Sequence, residues 1–356
     1  MIFKIKKRVE RELASCLRRA SKNGALKNIS PFIRREIAKF LLRDGKRIRP
    51  TLFVLSYLGF AKNKAGGLYK SAASLELFHN FALIHDDIID HSESRRGNPS
   101  MHAALNLHLK SRGNKSIAGE DLAIVIGDML YSMGVEALLA IDEKWNSKEM
   151  VLRDLAASAC DTGCGQISEI LVQGTPIAKI SREKILRIYS YKTARYTFAF
   201  PMAAGARLAG ASESDVKKLF DAGLLLGTAF QIKDDILEIL PGDKGADDYD
   251  PSDLQEAKKT LLLWYAHKNS PHLSRAAIEK FLSVKKRGKS EIEKIRSVII
   301  SSGAVEKAGK DIEKLHTKAT TILKKSGMQK KLAAEIEIYS ESLLAMPFPT
   351  QPKMYK

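Results

Sequence analysis

Apolar residues recur at i, i+3 and i+4 spacing along most of the chain, the period of helices that bury one face. The pattern predicts helices over 31–43, 50–60, 66–91, 119–141, 149–173, 181–210, 213–240 and 254–267, and again over 273–283, 290–301, 303–325 and 328–346. Clusters of Gly, Pro, Asn and Ser at 21–30, 92–100, 111–118, 174–180, 241–253, 268–272 and 284–289 mark the connections. Alternating segments of the kind that form hairpins are absent. No connection is long or polar enough to argue for a domain boundary. The expectation is an all-α protein, a single-domain helical bundle over residues 1–346, followed by a Pro-rich tail at 347–356 that does not fold independently.

Two of these apolar runs are interrupted in the same way, by Asp86-Asp87-Ile88-Ile89-Asp90 and by Asp234-Asp235-Ile236-Leu237-Glu238. Carboxylates at i, i+1 and i+4 repel one another and resist burial among aliphatic side chains unless a cation neutralises them. At about 100° per residue, His79, Asp86 and Asp90 share one helix face, and Gln231, Asp234, Asp235 and Glu238 share another. A helix N-cap would account for one aspartate, not three acids embedded in Leu and Ile. Oxygen-only ligand sets that leave room for substrate phosphates favour Mg²⁺. The expectation is a two-sided metal site in a helical bundle, both clusters facing inward.

Charge and cysteine content narrow the setting. Net charge is +18, and residues 1–50 hold 16 Lys+Arg against 4 Asp+Glu. Such a basic N-terminal helix suits a solvated face, and it also admits peripheral association with an anionic membrane. Zinc-finger spacing, RNA-binding aromatics and a basic zipper are all missing, so nucleic acid is not an expected partner. No run of apolar residues is long enough to cross a bilayer, and Met1 to Arg11 lacks the apolar core of a signal peptide, so a cytoplasmic location is expected. Cys16, Cys160 and Cys164 do not make a disulfide framework; Cys160 and Cys164, at i, i+4, are expected to be small buried residues.

Cations gather around the acids in sequence: Lys46 and Arg49 in Gly45–Pro50, Arg95-Arg96-Gly97, Lys192-Thr193, and Lys258-Lys259-Thr260. Arg grips phosphate as a fork and Lys as a point charge. Together with two carboxylate–Mg²⁺ sites they suit the binding of two diphosphates.

Taken in order, these residues resemble the trans-isoprenyl diphosphate synthases, the polyprenyl synthetase family. The resemblance runs from Gly45 to Lys259 through Gly-Lys-Arg-Ile-Arg-Pro (45–50), Glu76, His79, His85 with Asp86–Asp90, Arg95-Arg96-Gly97 and Gly127-Asp128. It continues through Gly165-Gln166, Lys192-Thr193-Ala194, Phe230–Asp235, Ser252-Asp253-Leu254 and Lys258. The resemblance implies a Mg²⁺-dependent prenyltransferase that condenses isopentenyl diphosphate with allylic diphosphates. It implies several Mg²⁺ ions held by Asp86, Asp90 and Asp234, assisted by Asp87, Asp235 and Glu238. It implies an isopentenyl diphosphate site of Lys46, Arg49, His79 and Arg96. Arg95, Lys192, Thr193, Gln231 and Lys258 are implied as the allylic diphosphate site, with Thr193 and Gln166 beside the reacting carbons. A homodimer is implied as well.

Product length in this family follows bulk below the first acid cluster, where Phe81 stands five residues before Asp86. This arrangement resembles archaeal-type synthases making geranylgeranyl diphosphate (C20), with farnesyl diphosphate (C15) the near alternative. A longer-chain polyprenyl synthase and a non-catalytic or regulatory subunit of a heteromeric synthase are the other readings; a terpene cyclase would not need Lys46, Arg49, His79 and Arg96. The chain departs from the family in three places. Glu238 replaces an Asp, Ala257 replaces a Gly with little expected effect, and no Lys precedes Ser252 near Asp247-Asp248. Lys233 or Lys244 is the expected substitute for that lysine.

Overall fold

The computed structural model describes residues 1–24, 26–95, 97–114, 116–240, 252–284 and 287–346. Arg96, Lys244, Asp247, Asp248 and the tail from 347 lie outside them. The expected all-α class holds: among the described residues, regular structure is helical apart from one two-residue antiparallel pairing. The chain packs as two compact units, one of residues 1–152 with 204–211, the other of 153–203 with the described residues from 212 onward. The division falls inside two helices, α7 and α9.

In the first unit, α1 (Ile2–Asn23), α2 (Pro31–Leu41), α3 (Ile48–Phe60) and α4 (Leu68–Ile89) lead to the pairing of β1 (Ser94–Arg95) with β2 (Asn98–Pro99). α5 (Met101–Ser111), α6 (Gly119–Leu138) and the start of α7 (Trp145–Gln173) follow. α3 is apolar on every side and correspondingly buried, with Leu52, Phe53, Val54, Leu55 and Tyr57 all at 0% exposure. α4 lies against α6, α1 and α3, and α5 against α6. α3 starts at Arg47, which adopts a left-handed backbone (φ 51). Its buried guanidinium donates to Glu76 on α4 at 2.7 Å and to the Arg43 carbonyl at 2.6 Å. That ion pair carries the turn between Lys46 and Arg49 and fixes it to α4.

Three elements differ from the periodic pattern. α5 was not expected, because Leu105-Asn106-Leu107-His108-Leu109 alternates with a period of two. Its helical phase shows in burial instead, with Leu105 at 1% and Leu107 at 62% exposure. The run 181–210 is not one α-helix: α8 (Arg182–Tyr189) passes into a π-helical segment, Ser190–Ala199, before α9 (Phe200–Leu208). The run 254–267 is split into α11 (Ser252–Gln255) and α12 (Leu261–Asn269).

In the second unit α10 (Glu213–Ile239) is central, packed on the π segment and on α15 (Ala304–Lys324). α13 (His272–Ser283) and α14 (Lys289–Ser301) pack on α12 and on each other, and α16 (Lys330–Leu344) lies against α15 and α10. Side-chain caps mark the helix starts: Ser181, Ser212 and Thr260 each accept a backbone N–H from the first turn.

Cys160 and Cys164 are exposed, contrary to the expectation of burial. They share one face of α7 with exposed Ala156, Ala157, Gly163, Ile167 and Leu171, so their small size serves an outward-facing stripe rather than the core.

The substitution at Ala257 also matters more than expected. Its φ is 57, a left-handed conformation in which a Cβ crowds the following carbonyl oxygen. Ala257→Gly should therefore stabilise the protein by about 1 kcal/mol. Urea unfolding tests this, and a loss of stability would show that the turn carries no strain.

Candidate active site

Both acid clusters stand at the C-terminal ends of their helices. α4 ends at Ile89 with Asp90 as its cap, and α10 ends at Ile239. There the peptide dipoles present partial negative charge, so the carboxylates are disfavoured by the helix as well as by one another. An N-cap role is ruled out by position alone.

The two clusters handle the problem alike. In each, the second aspartate is turned into the protein and the first and third acids remain half-exposed. Asp87 is at 0% exposure, and its Oδ1 accepts from Arg95 Nε at 2.7 Å and pairs with Nη2 at 2.6 Å. Burial pushes its carboxyl up, against the opposing pull of Arg95. Arg95 Nη2 also lies 3.7 Å from Asp86 Oδ2, so one guanidinium serves both members of the pair.

In the second cluster Asp235 is at 2% exposure. The hydroxyl of buried Tyr189 donates to its Oδ2, and Gln231 Nε2 donates to its Oδ1 at 3.1 Å. Burial, reinforced by Asp253, drives the Asp235 carboxyl well above the ordinary range, and burial beside that carboxylate raises Tyr189 too. The network extends both ways: Thr193 Oγ1 donates to Gln231 Oε1 at 2.8 Å, and the Leu261 N–H donates to the Tyr189 oxygen at 2.8 Å. Thr193, Gln231, Asp235, Tyr189 and the start of α12 are thus one hydrogen-bonded chain.

The π segment positions the residues beside the second cluster. It contains Lys192, Thr193 and Ala194, and π turns concentrate at functional positions. Its backbone is gripped closely by neighbours. A Cβ on Gly165 of α7 would sit 2.4 Å from Lys192 N, and one on Gly227 of α10 would sit 2.5 Å from Ala194 Cα. Glycine at 165 and 227 and a small residue at 194 are therefore steric requirements for placing Lys192 and Thr193. Lys192 Nζ forms a close ion pair with Glu169, one helical turn beyond Gln166 on α7. Lys258 pairs with Asp253 at 3.3 Å and Glu256 at 2.7 Å. Lys259 instead donates to the Val172 and Gln173 carbonyls, closing the end of α7. Lys233 is buried with its Nζ 2.6 Å from the Leu343 carbonyl, so it ties α10 to the end of α16 rather than replacing the family lysine.

In the first unit Lys46 is exposed, Arg49 buried, and His79 half-buried about two turns before Asp86. Phe81 packs edge-on against His85 (4.6 Å between centroids) and Tyr131 (5.3 Å), beneath the first cluster on α4. Among the described residues no group of three or more His, Cys, Asp or Glu side chains is placed to hold a metal ion.

The polyprenyl synthetase profile matches residues 31–299, three quarters of the chain, with both acid clusters inside the match. The chain belongs to the polyprenyl synthetase family. A geranylgeranyl diphosphate synthase of Saccharolobus solfataricus is 32% identical over 286 residues, covering 78% of this chain and 80% of that enzyme. A short chain isoprenyl diphosphate synthase of Methanocaldococcus jannaschii is 32% identical over 229 residues, and the match spans 64% of each chain, just under two thirds of the relative. Among solved structures, geranylgeranyl pyrophosphate synthase from Corynebacterium glutamicum, complexed with isoprenyl diphosphate and magnesium, superposes with a TM-score of 0.88 at 25% identity, covering 97% of this chain and 99% of that one.

Within this polyprenyl synthetase, three site-forming residues carried no signal of their own in the sequence. Tyr189 and Glu169 lie in ordinary helical periodicity, and Arg47 sits among cations that look equivalent until burial separates them. Tyr189 gives a test of the network. Tyr189→Phe orphans both a buried carboxylate oxygen and the Leu261 N–H and should cost about 2–3 kcal/mol. Asp235→Asn keeps an acceptor for Tyr189, removes a buried charge and should be neutral or stabilising in metal-free protein. Denaturant unfolding of both variants reads the signs; a neutral Tyr189→Phe would mean the tyrosine does not hold Asp235.

Proposed function

We propose that the chain is a Mg²⁺-dependent short-chain trans-prenyltransferase, joining isopentenyl diphosphate to an allylic diphosphate to give geranylgeranyl diphosphate. The observation that carries the proposal is the shared division of the two clusters: one buried, anchored aspartate each, and two half-exposed acids at a dipole-negative helix end. Acids so placed can take a cation and leave most of its coordination sphere to water and phosphate, which suits Mg²⁺. The donors are all oxygen, and the second carboxylate oxygen of Asp87 is buried without a hydrogen-bond partner among the described residues. Asp86, Asp90, Asp234 and Glu238 are the proposed ligands, with Asp87 and Asp235 acting mainly to position them. Bound Mg²⁺ would supply electrostatic stabilisation of a departing diphosphate.

The chain's own groups do the rest. Arg95, Lys192 and Lys258 take the allylic diphosphate as their present carboxylate partners yield to phosphate. Lys46, Arg49, His79 and Arg96 hold isopentenyl diphosphate. The allylic C–O bond breaks, and the isopentenyl double bond attacks the resulting carbocation to form the new C–C bond. The proton lost from the adjacent carbon passes to the released pyrophosphate, so no side-chain base is needed. Gln231 also contacts the allylic diphosphate, and Thr193 and Gln166 flank the reacting carbons. The ring of Phe81, backed by Tyr131 and His85, sets the limit of chain growth.

Incubation with Mg²⁺, isopentenyl diphosphate and each allylic primer, followed by sizing of the products, is the deciding experiment; absence of any elongation would overturn the proposal. Asp86→Ala and Asp234→Ala should each lower turnover by about 10²–10³-fold or more. Phe81→Ala should shift the product beyond C20, and an unchanged product spectrum would remove Phe81 from the length gauge.

The functional form is a homodimer. The exposed stripe of α7, with Ile167 at 59% and Leu171 at 70% exposure beside Cys160 and Cys164, supports burial against a second copy. Ile167→Glu/Leu171→Glu should yield monomer by light scattering; an unchanged dimer would place the interface elsewhere.

A further inference from the structure

α1 carries a second feature that the proposed reaction does not use. Its apolar face, Ile5, Val9, Leu13, Cys16 and Leu17, is fully committed to the first unit. The opposite face holds Lys4, Lys7, Arg8, Arg11, Arg18, Arg19 and Lys22, all exposed. On a helical wheel these seven fall within about 120° of arc and run about 27 Å along the axis. None of them is in an ion pair among the described residues. The helix's two acids stand off the stripe and are half-buried, Glu10 being held by Lys6 at 4.0 Å and by Arg47 at 3.5 Å. Lys4, Lys7 and Arg8 also lie near the helix N-terminus, with no acid in the first turn, where the dipole disfavours positive charge. Local helix stability does not explain this placement.

We infer that this face docks on an anionic lipid surface. A rigid, straight row of cations on a folded helix matches a flat sheet of headgroups. Its end adds an apolar contact. Phe3 is 66% and Met1 49% exposed, and the Lys7 ammonium lies 4.4 Å above the Phe3 ring, an arrangement that seats an aromatic ring at headgroup depth. A single-stranded nucleic acid would call for aromatic rings interleaved with the cations for base stacking, and from Lys4 to Lys22 the helix carries none. Attachment is by surface charge, since no described helix is long and apolar enough to cross a membrane. The inference rests on the face of α1 alone, so it stands or falls separately from prenyl transfer.

The test is co-flotation of the full-length protein with vesicles of phosphatidylcholine alone and with about a third phosphatidylglycerol. Binding is expected only to the anionic vesicles and should be lost at high salt. Lys4→Glu/Lys7→Glu/Arg11→Glu/Arg18→Glu should lower vesicle partition by on the order of a hundredfold or more, with unchanged helical content and prenyl transfer in solution. Phe3→Ala should lower it severalfold, which a purely polyanion-binding stripe would not show. Failure to bind anionic vesicles, equal binding to neutral ones, indifference to the charge reversal or to Phe3→Ala, or tighter binding to duplex DNA at the same ionic strength would each overturn the inference.

Discussion

The structure is organised around carboxylates placed where a helix least tolerates them. Asp86, Asp87 and Asp90 close α4, and Asp234, Asp235 and Glu238 close α10, each set against a negative dipole end and against its own like charges. Two remedies exist for such a group: an internal partner or an external cation. The protein buries the middle aspartate of each set against an internal partner and keeps the other two acids half-exposed, where a cation can reach them. Arg95 and Tyr189 are therefore equivalent devices, one cationic and one neutral, serving as anchors for Asp87 and Asp235. The charged anchor can also be drawn to a diphosphate, whereas the neutral one stays in place.

That difference makes the surroundings of the second cluster the more rigid. Thr193, Gln231, Asp235, Tyr189 and the Leu261 N–H form a continuous chain of hydrogen bonds that runs from part-buried to buried residues beside the half-exposed acids. Such chains strengthen cooperatively and are costly to break at one link. The π segment, held from both sides by Gly165 and Gly227, fixes where the chain begins. The conformational freedom left in this half belongs to Lys192 and Lys258, whose carboxylate partners Glu169, Asp253 and Glu256 are half-buried rather than sealed.

Helix identity and the two acid clusters were legible in the sequence because both depend on local spacing. An apolar period near 3.6 marks α4, α6 and α10, and acids that violate it stand out. What spacing could not show is direction and depth. Asp86 and Asp87 are adjacent and chemically alike, yet one is half-exposed and the other sealed, since a 100° step on α4 turns it inward. Arg47 and Arg49 flank one residue, and only the left-handed turn at Arg47 brings the first of them to Glu76. Cys160 and Cys164 look like core residues by composition; the exposed stripe they belong to is set by which side of α7 the second unit covers. The π segment is invisible to any 3.6-residue template, and Leu105–Leu109 mimics a strand.

The departures from the family pattern become intelligible together. Glu238 is one methylene longer than the aspartate it replaces, and it is the penultimate residue of α10 and half-buried. A longer reach at the third position would answer an Asp235 drawn inward by Tyr189. A double-mutant cycle on Tyr189→Phe and Glu238→Asp, read through Mg²⁺ affinity, measures that dependence. If the longer acid answers the anchored aspartate, shortening it should weaken Mg²⁺ binding more with Tyr189 present than with Phe at that position. Additive losses would mean that the second cluster tolerates Glu238 for reasons unconnected with the tyrosine.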